Sequence, residues 1–186
     1  MGKKHIITIA GDLASGKGTA SKILCDKLGY TIYRNGEYFR KLAKEANMSV
    51  TEFNVYVEDH PEIDKEIEKS AEKYAKEHDN LVIDARLGWY VVPDSFKLYL
   101  KVDLDVAASR AFNDPDRKST EKFDTIEKQK QDLKLRYELE NKRYFDVYGV
   151  RKDDMSNYDF VLDTTNLSPE EVVSKILEEY SKWLEN

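Results

Sequence analysis

The stretch that decides the fold is Gly11-Asp12-Leu13-Ala14-Ser15-Gly16-Lys17-Gly18-Thr19, a glycine-rich turn between two largely apolar segments. Residues 5–10, which precede it, have the apolar character on both faces that a central parallel strand needs when helices cover it from both sides. From about Lys17 onward, apolar residues recur at helical spacing up to Leu28, and Gly29 stands where a helix C-cap glycine belongs. The order of strand, turn and helix predicts an α/β protein.

The same alternation continues along the chain. Further strands are predicted at residues 30–33, 81–83, 96–102 and 159–163. The predicted helices lie around residues 38–46, 61–78 and 103–112, in a long stretch ending at Tyr148, and from Ser168 to the C-terminus. Another helix is predicted to begin at Ser49, which forms a capping box with Glu52. Strands separated by helical crossovers predict a parallel five-stranded sheet with helices on both faces, in three layers.

The composition fits one domain spanning residues 1–186, because the chain is too short for two full-sized domains and shows no linker. The 30 basic and 36 acidic side chains give a net charge of −6, which argues against a nucleic-acid polymer or an anionic membrane as partner. A single cysteine and the absence of a long apolar run favour a cytoplasmic protein. The oligomeric state is left open.

The glycine-rich turn fits the phosphate-binding pattern G-x-x-x-x-G-K, with Gly18 at the usual Ser/Thr position. Glycines let successive backbone N–H groups converge on phosphate oxygens, and a helix N-terminus adds a positive end. The fold class is therefore predicted to be that of the P-loop NTPases, whereas the alternative is a glycine-rich turn with an incidental lysine. Asp12 is expected to point to solvent, away from an anion. The predicted phosphate contacts are Gly11, Ala14, Ser15, Gly16, Lys17, Gly18 and Thr19.

Two oxygen-bearing residues are predicted to hold a magnesium ion. Asp84 ends an apolar strand, where phosphate-loop enzymes keep an acid that binds Mg²⁺ directly or through water. Thr19 follows the loop lysine and is a second candidate. The alternatives are a structural carboxylate and a polar residue in the first turn of a helix.

Arginine is scarce in this chain, so an arginine that follows a strand suggests anion binding, for which its forked geometry is suited. Arg40 comes after the second predicted strand and Arg86 after the third. Because the carboxyl ends of parallel strands meet at one edge of the sheet, the two are expected to converge on one anion. Separate surface salt bridges are the alternative.

Four more arginines lie in a predicted lid at about residues 110–150, namely Arg110, Arg117, Arg136 and Arg143. Arg136 and Arg143 are two helical turns apart, so they share a face and are expected to reach one polyphosphate. These four side chains and Lys17 form the predicted catalytic set. A solvated charged helix is the competing interpretation.

Several blocks in the same order resemble the cytidylate kinases of the short archaeal-type branch. They are Gly11–Thr19, Gly36-Glu37-Tyr38-Phe39-Arg40, Asp59–Asp64, Arg86-Leu87-Gly88-Trp89, Arg143-Tyr144, Tyr148-Gly149-Val150 and Tyr158–Thr164. The Gly-Lys-Gly-Thr ending of the loop is similar to that of nucleoside monophosphate kinases. Ala14 departs from the family pattern by replacing a common glycine, and Arg34-Asn35 stands where small residues are usual. Asp84-Ala85 takes the place of an acidic residue followed by glycine, and the block at Arg86–Trp89 is one residue shorter than that of the family.

The resemblance implies transfer of the γ-phosphoryl group of ATP to CMP or dCMP, with magnesium. It implies that residues at about 35–79 form a helical insert that binds the acceptor, through Gly36, Arg40, Asp64 and Arg86. Two alternatives stay open at the level of sequence. One is a P-loop kinase of a small hydroxylated metabolite, for which Asp84 would accept the proton. The other is a non-catalytic nucleotide-binding regulatory protein.

Overall fold

A computed structural model of the chain describes residues 4–115, 117 and 122–185. Its five strands form one sheet in which every pair is parallel, in the order β2-β3-β1-β4-β5. The strands are β1 Ile6–Gly11, β2 Thr31–Arg34, β3 Leu81–Asp84, β4 Phe96–Lys101 and β5 Phe160–Asp163. The predicted parallel five-stranded sheet is confirmed, with each boundary within a residue or two.

The helices fill the crossovers. They are α1 Lys17–Leu28, α2 Asn35–Glu45, α3 Val50–Tyr56, α4 Pro61–Glu77, α5 Gly88–Val91, α6 Leu104–Asn113, α7 Ile126–Tyr148 and α8 Pro169–Glu185, with a short 3-10 helix at Met155–Asn157. The capping box predicted at Ser49 is present. The one-turn helix α5 was not predicted, because four residues are too few to show a helical period. Residues 113–119 have the sequence Asn-Asp-Pro-Asp-Arg-Lys-Ser, which predicts a turn, and they lie partly outside the described residues.

Helices cover the sheet on both faces, which confirms the three layers. On one face α1 and α8 pack on β1, β3 and β4 around Leu24, Leu98 and Ile176. On the other face α4, α5 and α7 contribute Ala75, Trp89 and Tyr144 to two smaller apolar clusters. Among the described residues, no helix combines the length and the apolar character that crossing a lipid bilayer would require.

The register of the sheet brings the ends of three strands to one edge. Asp84, the last residue of β3, lies opposite Ile9 of β1 and Arg34 of β2. The glycine-rich turn follows β1, at the centre of the sheet. Ligands of open α/β sheets bind at this carboxyl edge, so the fold collects the predicted site residues there.

Candidate active site

The glycine-rich turn depends on backbone conformations and close contacts that favour glycine. A Cβ atom on Gly11 would lie 2.4 Å from the carbonyl oxygen of Leu100 in β4, so no larger residue fits between these two central strands. Gly16 caps α1 with a φ of 90° and without a side-chain cap, which leaves the first N–H groups of the helix for an anion. Ala14 also has a positive φ, 59°, where the glycine common in similar proteins would be unstrained.

Lys17 begins α1 and folds back over the turn. Its Nζ donates to the carbonyl oxygens of Gly11 at 3.1 Å and Asp12 at 2.8 Å, and the side chain lines a large cavity. Burial, reinforced by the neighbouring positive charge of Arg86, lowers the pKa of Lys17 to about 7. The ammonium therefore lacks a full counter-charge in the free protein, as expected of a group that meets an anionic ligand.

The expectation for Asp12 is wrong. Its carboxylate does not face solvent but accepts hydrogen bonds from the Tyr99 hydroxyl at 2.7 Å and the Val102 N–H at 3.0 Å. The partners lie on and just after β4, almost ninety residues away, so a local reading of the turn could not reveal them. These two hydrogen bonds keep the negative charge of Asp12 away from the amides of the turn and connect the turn to β4.

A cavity of about 780 Å³ opens above the carboxyl edge of the sheet. The residues that line it include most of the predicted phosphate contacts and both predicted magnesium ligands: Ala14, Ser15, Gly16, Lys17, Gly18, Thr19 and Asp84. Gly11 lies beneath the turn and does not line this cavity. We call this space the outer cavity.

Asp84 fits a role as a ligand of a hard cation. It is half-buried and lines the outer cavity, and its carboxylate makes no hydrogen bond with any described residue. Thr19 lines the same cavity. Among the described residues, no three His, Cys, Asp or Glu side chains gather into a site of their own. This donor set suits Mg²⁺, which proteins usually hold through one or two carboxylates together with substrate phosphates and water.

A second, inner cavity of about 40 Å³ lies between the α2–α4 insert and α7. Gly36, Arg40 and Arg86 line both cavities, so the two arginines do converge, as the strand ends predicted. Arg40 is exposed, and its guanidinium group forms no hydrogen bond or ion pair with a described residue. That the two guanidinium groups bind one anion stays a prediction.

The structure divides the four arginines of the predicted lid into two pairs. Arg110 and Arg117 line the outer cavity, and Arg110 donates to the carbonyl oxygen of Thr164 at 2.8 Å. Arg136 and Arg143 line the inner cavity and are almost fully buried, so the shared helical face is found but it is not solvated.

Arg143 ties α7 to the insert. Its Nε lies 2.6 Å from Oδ2 of Asp64, and its Nη1 donates to Oδ1 of Asn54 at 3.0 Å. Burial raises the pKa of Asp64, although Arg143 acts in the opposite direction. Asp64, which is predicted to bind the acceptor substrate, lines the inner cavity.

The unusual pair Arg34-Asn35 belongs to the two cavities. Arg34 lines the outer cavity and its Nη1 is 3.1 Å from Oε1 of Glu37. Asn35 is buried at the inner cavity and donates from Nδ2 to Oε1 of Glu68 at 3.2 Å. Glu68 does not stand out in the sequence, because a glutamate on α4 resembles the many solvated ones.

Glu68 is expected to destabilise the protein as pH rises. Burial, with the nearby charge of Asp64, raises its pKa from 4.5 to about 8. The folded state thus keeps a proton that the unfolded chain loses, and the free energy of unfolding falls between pH 4.5 and 8 by up to about 1.4 kcal/mol per unit. Glu68→Gln, which mimics the protonated acid, should be more stable than the wild type by about 3 kcal/mol at pH 7 and nearly equal in stability near pH 4.5. Urea unfolding across this range tests it, and a constant difference at all pH values would contradict it.

The buried carboxylate of Glu140 forms an ion pair with Arg86. The sequence alone did not single out this residue. Oε2 of Glu140, on α7, accepts from Nε of Arg86 at 2.9 Å and from Nζ of Lys152 at 2.5 Å. Burial opposes ionisation of Glu140, but Arg86 and Lys152 outweigh it and bring its pKa well below the usual value. Its position three residues before Arg143 and four after Arg136 was a usable signal, since all three share one helical face. Nothing local marks Lys152.

The match to a known family extends over most of this architecture. The model of the cytidylate kinase-like family matches residues 6–166, which include the glycine-rich turn, the insert, Arg86 and α7. The chain belongs to the cytidylate kinase-like family. Membership accounts for the ordered blocks of residues described above, and the resemblance seen in the sequence is confirmed.

Individual family members are similar along nearly their whole length. A cytidylate kinase of Methanobrevibacter smithii is 34% identical over 172 residues, 92% of this chain and 96% of its own. One of Thermoplasma volcanium is 37% identical over 176 residues, 92% and 88% of the two chains. A shikimate kinase from Bacteroides thetaiotaomicron has a TM-score of 0.63 at 14% identity, covering 94% of this chain and 97% of that chain, which shows a shared kinase fold.

Proposed function

We propose that this family member is an ATP-dependent phosphotransferase that transfers the γ-phosphoryl group of ATP to CMP or dCMP. The observation that carries the proposal is the pair of adjoining cavities, one over the glycine-rich turn and one beneath the helical insert, with Arg40 and Arg86 lining both. Two anionic substrates placed end to end would meet at these arginines. The relatives, which are cytidylate kinases, support cytosine as the acceptor base.

At the donor end, the N–H groups of the turn and the start of α1 would bind the triphosphate of ATP. Lys17 would leave its carbonyl partners, contact the β- and γ-phosphates and regain a full charge there. Arg110 and Arg117, which line the same cavity, would neutralise charge on the nucleotide. The role of this end is to hold the γ-phosphorus in line for attack.

At the acceptor end, Gly36, Arg40 and Arg86 would bind the phosphate of CMP, and Asp64 would lie towards its nucleoside. An oxygen of the acceptor phosphate attacks the γ-phosphorus, the bond to the β–γ bridging oxygen breaks, and ADP and CDP leave. The acceptor phosphate is already anionic at neutral pH, so no protein base is required. The protein contributes alignment and positive charge.

Asp84 and Thr19 would hold magnesium, which when bound neutralises part of the charge of the phosphates. Arg136 and Arg143 come from α7 and would complete the positive surround at the inner cavity. A segment that covers the phosphates also keeps water away from the γ-phosphorus and limits wasteful hydrolysis.

The proposal is tested by measuring ADP formation in a coupled assay with ATP, Mg²⁺ and a panel of acceptors. The panel contains CMP, dCMP, UMP, AMP, GMP, shikimate and gluconate. We expect acceptor-dependent turnover that is fastest with CMP or dCMP. Turnover with none of the monophosphates would refute the function, and turnover with a hydroxylated metabolite alone would replace it with another.

Arg40→Ala is expected to raise the KM for CMP by about 10- to 100-fold, because a charge-assisted contact to phosphate is worth about 1.5–3 kcal/mol. The KM for ATP should change little, since the turn and Lys17 bind the donor. Lys41→Ala, next in the chain and paired only at 3.9 Å with Glu45, serves as the control. An unchanged KM for CMP in Arg40→Ala would place the acceptor phosphate elsewhere.

A further inference from the structure

Three charged groups from separate parts of the chain meet beside the inner cavity, which Arg86 and Glu140 line and Lys152 does not. Glu140 comes from the middle of α7, Arg86 from the loop after β3, and Lys152 from the segment after α7. Only 4% of the Glu140 side chain and 1% of the Lys152 side chain are exposed, against 19% for Arg86. Burying a charged side chain costs several kcal/mol of desolvation free energy, so a buried cluster of charges indicates a specific role.

The way in which Glu140 holds Arg86 leaves the working end of the guanidinium group available. Oε2 of Glu140 accepts a hydrogen bond from the Nε–H of Arg86. Neither Nη atom of Arg86 donates to any residue that the structure describes. Arg86 lines both cavities. A guanidinium group fixed through Nε presents its two Nη groups as a fork of the kind that binds phosphate.

Lys152 fixes Glu140 in turn. Its Nζ donates to the same oxygen, Oε2, and lies 4.9 Å from the ring centre of Tyr137. Lys152 lines neither cavity, so it does not take part in the predicted substrate contacts. Its one ionic partner in the described part of the chain is Glu140.

The charges around Glu140 explain why it is needed. Arg86, Lys152, Arg136 and Lys17 all lie near enough to interact with it electrostatically. Glu140 is the only buried carboxylate in hydrogen-bond contact with Arg86 among the described residues. Without its negative charge, repulsion from Lys152 would drive the Arg86 side chain out of this position.

We propose that Glu140 and Lys152 are positioning residues: together they hold Arg86 by its Nε so that its Nη groups face the phosphate of the acceptor. This inference rests on the proposed function, because it takes the anion at Arg86 to be the acceptor. It also makes the orientation of Arg86 depend on α7, the helix that carries Glu140.

A double-mutant cycle distinguishes positioning from simple stabilisation. Glu140→Gln should lower kcat/KM for CMP by about tenfold and change the KM for ATP much less. In an Arg86→Met background the same change should alter kcat/KM for CMP by less than about twofold, because the guanidinium group that Glu140 positions is absent. Equal effects in both backgrounds would overturn the proposal. Lys152→Met in the same two backgrounds gives the same test if Glu140→Gln does not fold.

Asp153→Asn is the matched control. Asp153 follows Lys152 directly and accepts from Tyr137 and Asn141 of α7, but it contacts neither Arg86 nor a cavity. It should leave kcat/KM for CMP within about twofold of the wild type, whatever it does to stability. An effect as large as that of Glu140→Gln would show that general loosening of α7 is responsible, and would overturn the proposal.

A measurement without substrates separates this proposal from the proposed function. In the wild type, the Nε–H of Arg86 should exchange slowly with water and give a distinct NMR signal, which Glu140→Gln should abolish. Rapid exchange in the wild type would overturn the positioning role even if CMP is phosphorylated. A slow signal in a protein that phosphorylates no monophosphate would refute the function and leave the arrangement of Arg86 intact.

Discussion

Lys17→Met is expected to lower kcat for ADP formation with CMP by about 10²- to 10³-fold, the effect of removing one preorganised charge from a transition state. Lys17 is the only lysine in the described part of the chain whose side chain lines the outer cavity. Methionine keeps most of the volume of the lysine stem, so the turn should retain its shape. Initial rates at saturating ATP and CMP give the result.

The control for this variant is Lys22→Met, on the same helix but exposed and lining neither cavity. Its kcat should equal that of the wild type. If Lys17→Met retained more than about a tenth of the wild-type kcat while remaining folded, the donor phosphates would have to bind somewhere other than the glycine-rich turn.

Gly11→Ala is expected to reduce the free energy of unfolding by about 2–5 kcal/mol, the combined cost of overpacking and backbone strain. The new Cβ would lie 2.4 Å from the Leu100 carbonyl oxygen, and φ at this position is 154°. Neither strand can move aside, because β1 and β4 are hydrogen-bonded and covered on both faces. Urea unfolding of the ligand-free protein measures the change.

Gly18→Ala provides the matched comparison within the same turn. A Cβ there meets nothing within 4 Å, and the residue is helical. Alanine favours helix over glycine, so stability should stay the same or rise by up to about 1 kcal/mol. If both variants lost the same stability, the close approach of Gly11 to β4 would not be the cause.

The sequence predicted those parts of the site that depend on local order along the chain. The turn, Lys17, Asp84 and Arg86 could be placed together because each lies at or just after the end of a strand, and parallel strands end at one edge of the sheet. The helical period correctly placed Arg136 and Arg143 on one face. These inferences need only the spacing of residues and the rules of the fold.

What the sequence did not reveal depends on partners distant along the chain. Burial of Arg143 is set by Asp64 and Asn54 in the insert. The direction of Asp12 is set by Tyr99, and the importance of Glu140 by Arg86 and Lys152. A charged residue on a helix is expected to be solvated until the element opposite it is known, which is why the burial of Arg136, Glu140 and Arg143 was not anticipated.

The size of the inner cavity has a consequence for the kinetics of the acceptor. At about 40 Å³ it has room for a few water molecules but not for a nucleoside, so the insert must move away from α7 before a nucleoside can enter. Contacts between them, such as Arg143 with Asp64, oppose that opening. CMP association should therefore be slower than encounter alone would allow, and its apparent affinity should be reduced by the small fraction of molecules that are open.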